Sequence, residues 1–288
     1  MQNSAPVKAD VQALRKGEAV ALCYFLYTAL VASLQRLSWA AILISWSIPA
    51  VIYTLGAIER RYSRRWSSML RDWLTLALIL AAYWQLDWFA RPFTSRWNDL
   101  FIGYDRALLH RLGAHSAVEI FGGAIPQALE AVYLLLYTIP PVCLAVIYWY
   151  GARNRADRFL FTLLLGTFTA YALLPYFPTT SPRIAFPDED LPRYAGIFRY
   201  WNIWLLDHYD ISTGIFPSGH VAVAFSCGFG LLRTIPRKPR WWGAIFCAAA
   251  LVFLATIYGR YHYAADGLAS VGISTTAWVV SGVIDRDD

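Results

Sequence analysis

Eight apolar stretches, at about residues 18–35, 37–58, 72–90, 127–150, 158–177, 216–235, 241–259 and 263–284, dominate this 288-residue chain. Each approaches the ~20 helical residues that cross a hydrocarbon core ~30 Å thick, so the expected fold is an all-α, polytopic membrane bundle of about eight transmembrane helices. The first two stretches are separated only by Gln35, Arg36 and their neighbours, which predicts a tight helical hairpin. Pro140 and Pro141 predict a kink in the fourth, tolerable where neighbouring helices satisfy the freed carbonyls. Charged residues make up 15% of the chain, against about 25% in a soluble domain, too few to cover a water-facing surface of this size. A soluble enzyme is therefore excluded. The net charge of +6 sits in clusters that flank apolar runs, not on a wettable face, which excludes a nucleic-acid partner. Cys23, Cys143, Cys227 and Cys247 all lie inside apolar runs without metal-ligand spacing and read as small packing residues.

Sorting charges across the spans orients them. One side receives 16 Lys and Arg and 8 acidic residues, the other 9 and 11, giving net charges of +8 and −2. The basic side is expected to be cytoplasmic, with both termini inside and the long segments 91–126 and 178–215 outside, on the periplasmic, extracellular or lumenal face. Residues 1–33 also have the layout of a cleavable signal, ending at Val31-Ala32-Ser33. The long polar flank and the apolar run that follows at once favour a retained hairpin. The expected organisation is a tail and hairpin over 1–60 and a catalytic membrane domain over 61–288.

Between the third and fourth spans, Trp97, Leu100, Phe101, Tyr104, Leu108 and Leu112 form one stripe, with Asp99, Asp105, Arg106 and Arg111 mostly off it. That spacing describes a helix lying in the outer membrane interface, or one packed on the outer mouth of the bundle. His110 and His115 read as interfacial polar residues.

Polar groups concentrate at the outer ends of three spans. Phe216-Pro217-Ser218-Gly219-His220 opens the sixth. Pro217 suits a first helical turn and Ser218 or Thr213 could cap it, so free N–H groups and the positive end of the helix dipole face outward beside an imidazole, as an anion site requires. Tyr258-Gly259-Arg260-Tyr261-His262-Tyr263-Ala264-Ala265-Asp266 bridges the last two spans. An eighth span starting near His262 would put His262 and Asp266 on one helical face, and a carboxylate beside an imidazole fixes its tautomer and raises its basicity. A carboxylate at the membrane edge is costly unless paired, which marks Asp266 as a functional candidate. After the fifth span, Thr180-Ser181-Pro182-Arg183 offers a guanidinium suited to phosphate oxygens.

These residues resemble the membrane branch of the type-2 phosphatidic acid phosphatase superfamily, over about 120–284. Pro217-Ser218-Gly219-His220 matches its Pro-Ser-Gly-His motif, and His262-x3-Asp266 the end of its third motif. The chain departs elsewhere: Tyr176 stands at the first-motif Lys, Ile184 follows Arg183 where the family has Pro, and Thr256 replaces an Arg of the third motif. The pattern is similar to the subgroup that includes inositol phosphorylceramide synthases. The resemblance implies a six-helix phosphatase-type core behind the N-terminal hairpin and a lipid phosphatase or phosphotransferase acting on a phosphate ester or anhydride. It implies that His262 is the nucleophile forming a phosphohistidine, Asp266 its orienting carboxylate and His220 the general acid then base. Arg183, Arg260, Ser218 and Gly219 would bind the substrate phosphate, with no metal and no cofactor. Gln127 and Glu130, at the outer end of the fourth span, are possible headgroup or acceptor contacts. Glu130 is equally a candidate structural partner for an Arg, and Asp207, His208 and Asp210, just before the second motif, are further possible contacts or a solvated loop. The expected partners are a phosphorylated lipid and the surrounding membrane lipids. A transporter is the rival class, but its ionisable groups would sit near the midplane and its halves would repeat, and the sequence has neither feature.

Overall fold

The computed structural model describes residues 14–62, 65–90, 95–111, 113–120, 122–187, 191–211 and 215–285. They form helices α1 (Lys16–Leu34), α2 (Trp39–Tyr62), α3 (Arg65–Gln85), α4 (Ser95–Arg106), α5 (Ala114–Glu119), α6 (Ala124–Leu135) and α7 (Ile139–Trp149). After these come α8 (Ala156–Leu173), α9 (Pro182–Ala185), α10 (Ile197–Tyr209), α11 (Gly219–Thr234), α12 (Pro239–Tyr258) and α13 (Ala264–Ile284). There is no strand among the described residues.

Six stretches among the described residues are long and apolar enough to cross a membrane: Lys16–Leu34, Trp39–Glu59, Ala124–Trp149, Arg153–Tyr176, Pro239–Tyr258 and Ala264–Ile284. The chain is thus a multi-pass membrane helical bundle. The other two expected spans are also helical. α3 carries Arg65, Arg71 and Asp72 in its first turns, and α11 has 16 residues, about 24 Å at ~1.5 Å per residue. Pro140 and Pro141 do more than kink their span. The chain passes through one 3-10 turn at Leu136–Thr138, and α7 restarts with the prolines in its first turn, where a missing N–H costs nothing.

α8 is the central post, packed by α1, α3, α11 and α13. Phe159, Leu160, Leu163, Leu164 and Phe168 are buried around it. In a bilayer, lipid tails are as apolar as these side chains, so helices associate through close packing and hydrogen bonds. Both occur here. Thr162 meets Ser281 at 3.0 Å and Ser226 donates to Ser274 at 3.1 Å, stitching α8 and α11 to α13. The N-terminal hairpin shares this core: Tyr24 stacks on Phe168 with ring centroids 4.5 Å apart. Of the four cysteines, Cys143 and Cys227 are buried packing residues, while Cys23 and Cys247 are exposed on the bundle surface.

At the end of the bundle where α1 and α11 respectively begin and finish, the basic residues are matched in part by acids. Arg71 pairs with Glu18 and Glu59, and Arg15 with Asp72 and, at 3.2 Å, with Glu59. Tyr148 donates to Asp72, and Asp157 accepts the Lys16 and Gly17 N–H groups at 3.0 Å each. This network joins α1, α2, α3, α7 and α8 and leaves the opposite end for chemistry.

Candidate active site

The opposite end gathers the starts of α11 and α13 with the finishes of α3, α8 and α12. α11 begins at Gly219, and Ser218 caps it by accepting the Val221 N–H at 3.4 Å. Pro217 therefore precedes the cap instead of sitting in the first turn; Thr213, the other candidate cap, lies outside the described residues. Gly219 has no room for a side chain, because a Cβ there would meet Tyr171 Cε1 at 2.7 Å.

α13 begins at Ala264, so His262 lies just outside the helix. The two residues meet for another reason than a shared helical face. Asp266, in the first turn, reaches back to accept the Tyr263 N–H at 3.0 Å and lies 3.2 Å from His262 Nδ1 through the same Oδ2. The capping carboxylate also orients the imidazole. Beyond it, His262 Nε2 is 3.2 Å from His220 Nδ1, and His220 Nε2 is 3.4 Å from the Tyr137 hydroxyl. Asp266, His262, His220 and Tyr137 thus form one chain from the first turn of α13 through that of α11 to the 3-10 turn between α6 and α7. The ends of α11 and α13 are locked together below it, with Ser218 N–H donating to Asp266 C=O at 3.2 Å and Ser270 donating to both Ser218 and Asp266 carbonyls at 2.8 Å. His262 is 5% exposed, and burial lowers its pKa from 6.5 to about 4, with the Asp210 carboxylate pulling the other way. It is held neutral, the form in which an imidazole nitrogen carries a free lone pair.

Arg183, Asp210, Gly219, His220, Tyr261 and His262 line one cleft. Arg183 is placed by its own N–H, which donates to the Arg260 carbonyl at 2.9 Å, and by carboxylates, Asp207 at 3.1 Å and Asp210 at 3.6 Å. Tyr83 donates to Asp210 in turn. Beside the cleft lies an apolar cavity of about 470 Å³. Its walls are Trp73, Leu76, Leu80 and Trp84 of α3 and Pro140 and Pro141 of α7, and Tyr83 and His220 border both spaces.

Three expected contacts sit elsewhere. Arg260 does not line the cleft; its guanidinium is buried against Asp105. Glu130 is 2% exposed and its carboxylate is taken by Arg199 at 2.8 Å, Asn202 at 2.7 Å and Tyr261 at 2.6 Å, which makes it the structural partner of an Arg. Gln127 packs against Gly196 at the head of α10. Asp105 is the converse case. It falls off the apolar stripe of α4, yet it is 1% exposed, pairs with Arg260 and accepts the Ala264 N–H at 3.0 Å. Of the two placements open to that helix, the packed one holds: Phe101 stacks on Phe216 at 4.8 Å and Trp97 meets Phe177 at 5.1 Å, closing α4 over the mouth. Asp105 and Asp210 carried no local signal beyond being acidic residues near helix ends. The side chains of His110 and His115 lie outside the described residues.

Two hydrogen-bonded histidines, a buried carboxylate and an adjoining apolar cavity thus come together at one end of a helical membrane bundle. The PAP2 superfamily model matches residues 99–280, more than half of the chain, and the protein belongs to that superfamily. A PA-phosphatase related-family protein of Dictyostelium discoideum is 27% identical over 142 residues. That match spans 47% of this chain and 25% of the relative's length. No solved structure gives a significant match.

Proposed function

We propose that the protein transfers a phosphoryl group from a lipid through a phosphohistidine on His262. The observation that carries this is the ordered chain from Asp266 through His262 to His220, set where a polar cleft adjoins an apolar cavity of about 470 Å³. His262 Nε2 attacks phosphorus, the lipid-side P–O bond breaks, and the departing oxygen takes a proton from His220. In the second step an incoming hydroxyl gives its proton to His220 as its oxygen bonds phosphorus and the P–N bond breaks. Water as acceptor makes the enzyme a phosphatase, and an alcohol makes it a phosphotransferase. Arg183 and the N–H groups at the start of α11 stabilise the phosphate oxygens, since this chemistry rests on positioning and charge. The charge asymmetry of the links supports a cytoplasmic placement of both termini and an active site on the outer face, and the catalytic domain over 61–288 then contains every residue assigned a role.

The test is to purify the protein in detergent with EDTA and offer phosphatidic acid, an isoprenoid diphosphate, and a phospholipid donor with alcohol acceptors. Phosphate release or headgroup transfer that persists in EDTA and is lost in His262→Ala is the expected result. Activity retained in that variant overturns the nucleophile. Reporter fusions at Pro236 and Ala195 test the orientation, which an outward-facing Pro236 overturns.

A further inference from the structure

The end of the bundle away from the histidines carries a second pocket, of about 480 Å³. Tyr150, Ala152 and Arg155 line it from the link between α7 and α8, and Pro236, Arg237 and Lys238 from the link between α11 and α12. Three of these residues are cations, and no described lining residue is acidic. Elsewhere at this end the fold matches cations with carboxylates. Arg71 pairs with Glu18 and Glu59, Arg15 and Arg153 with Asp72, and Lys16 and Arg233 with Asp285.

Tyr150 organises one wall. Lys238 Nζ lies 4.5 Å from its ring centroid, and its hydroxyl accepts from Arg240 Nη2 at 2.7 Å and Trp241 Nε1 at 2.9 Å. A phenol oxygen has two acceptor positions and one O–H, so with both positions filled the O–H is left to donate. The opposite wall is braced by Trp242 Nε1 donating to the Pro236 carbonyl at 3.2 Å and Lys238 N–H to the Ile235 carbonyl at 3.0 Å. Arg155 and Lys238 are also the residues that precede α8 and α12, so the positive ends of two long helices border the same space.

We propose that this pocket binds the phosphate of an anionic lipid headgroup, at a site separate from the histidine cleft. Its depth selects the lipid. The apolar stretches that end at Trp149 and begin at Arg153 and Pro239 put the pocket at the edge of the hydrocarbon, and Trp149, 87% exposed, stands where interfacial tryptophans gather. Its chemistry selects the phosphate. Guanidinium forks take phosphate oxygens in pairs, Lys238 adds a point charge, and basic pockets between membrane helices suit acidic headgroups. Like charges held in one pocket repel, and a bound anion reverses that cost. A zwitterionic headgroup brings its own cation and gains less. The bound lipid would tie the link after α7 to the end of α11, the helix that carries His220 at its start.

The experiment counts bound lipid by native mass spectrometry on the full chain in detergent, with His262→Ala in every protein so that no lipid is consumed. Dioleoyl phosphatidylglycerol is the anionic probe, and dioleoyl phosphatidylcholine, with the same chains, the zwitterionic one. The expected result is a Kd at least 10-fold lower for phosphatidylglycerol, with that preference falling below 3-fold when Arg155→Gln, Arg237→Gln and Lys238→Gln are combined. Arg183→Gln, in the histidine cleft, should leave the preference intact. A preference lost in Arg183→Gln and kept in the triple variant assigns the anion to the histidine cleft and overturns the inference. A parent preference below 10-fold overturns it too. So does an unchanged preference in a triple variant that unfolds at the parent's temperature, the result expected if a carboxylate of residues 1–13 or 286–288 fills the pocket. Should the triple variant not fold, Arg237→Gln alone should weaken phosphatidylglycerol binding at least 2-fold, and no change overturns the site. Inorganic phosphate at about 10 mM, against chloride of equal ionic strength, separates a lipid from a free anion: lipid binding should persist, and its displacement overturns the lipid assignment.

Discussion

His220 Nδ1 lies 3.2 Å from His262 Nε2, although 42 residues separate them. In the proposed reaction this proximity lets His220 protonate the same bond that His262 breaks.

The first prediction follows from that division of labour. His220→Ala should slow release of a lipid alcohol by ~10²–10⁴-fold, the usual contribution of a general acid. A p-nitrophenyl phosphoester, whose leaving group needs no proton, should lose less than 10-fold in its first step. Burst kinetics with the two leaving groups measure this, and equal losses for both would remove His220 from the acid role.

The pH profile tests the buried neutral state of His262. Its pKa is lowered by burial to about 4, so the neutral nucleophile persists above that value and is lost as pH falls through it. The acid limb of kcat/KM should therefore lie well below 6.5. A limb at the ordinary histidine value would mean that the ring is solvated in the working enzyme.

Asp105 and Arg260 form a buried pair whose members flank His262, one through its own main chain and one through Ala264 N–H. Removing one partner leaves a buried charge, so Asp105→Ala should destabilise the protein by about 3–5 kcal/mol. Thermal unfolding in detergent should show a smaller loss in the double variant with Arg260→Ala than the sum of the single losses. Additive losses would show that the two side chains do not interact.

Gly219→Ala probes the approach of α8 to the site. The added methyl meets the Tyr171 ring, so α11 must shift at its first turn, next to His220. Activity should fall at least 10-fold with a small change in thermal stability, and Tyr171→Leu should restore part of it. A Gly219→Ala enzyme as fast as wild type would mean that the first turn is not held in register.

The sequence by itself determined the membrane class, the helices, and the two local devices that carry the chemistry. Apolar length sets the spans, because a bilayer leaves no alternative for backbone N–H groups. A Ser cap places His220 at a helix start, and an Asp four residues after His262 meets it whichever side of the helix start the histidine occupies. Tertiary structure decided which charges are free. Arg260 looked as available to a phosphate as Arg183, and Glu130 read equally as a headgroup contact or an Arg partner, because local spacing says nothing about partners such as Asp105, 155 residues away from Arg260. In a dry bundle a charge must find its counter-charge, and that match is made by helices distant in sequence. Which of the described charges face the histidines is a property of the packed bundle.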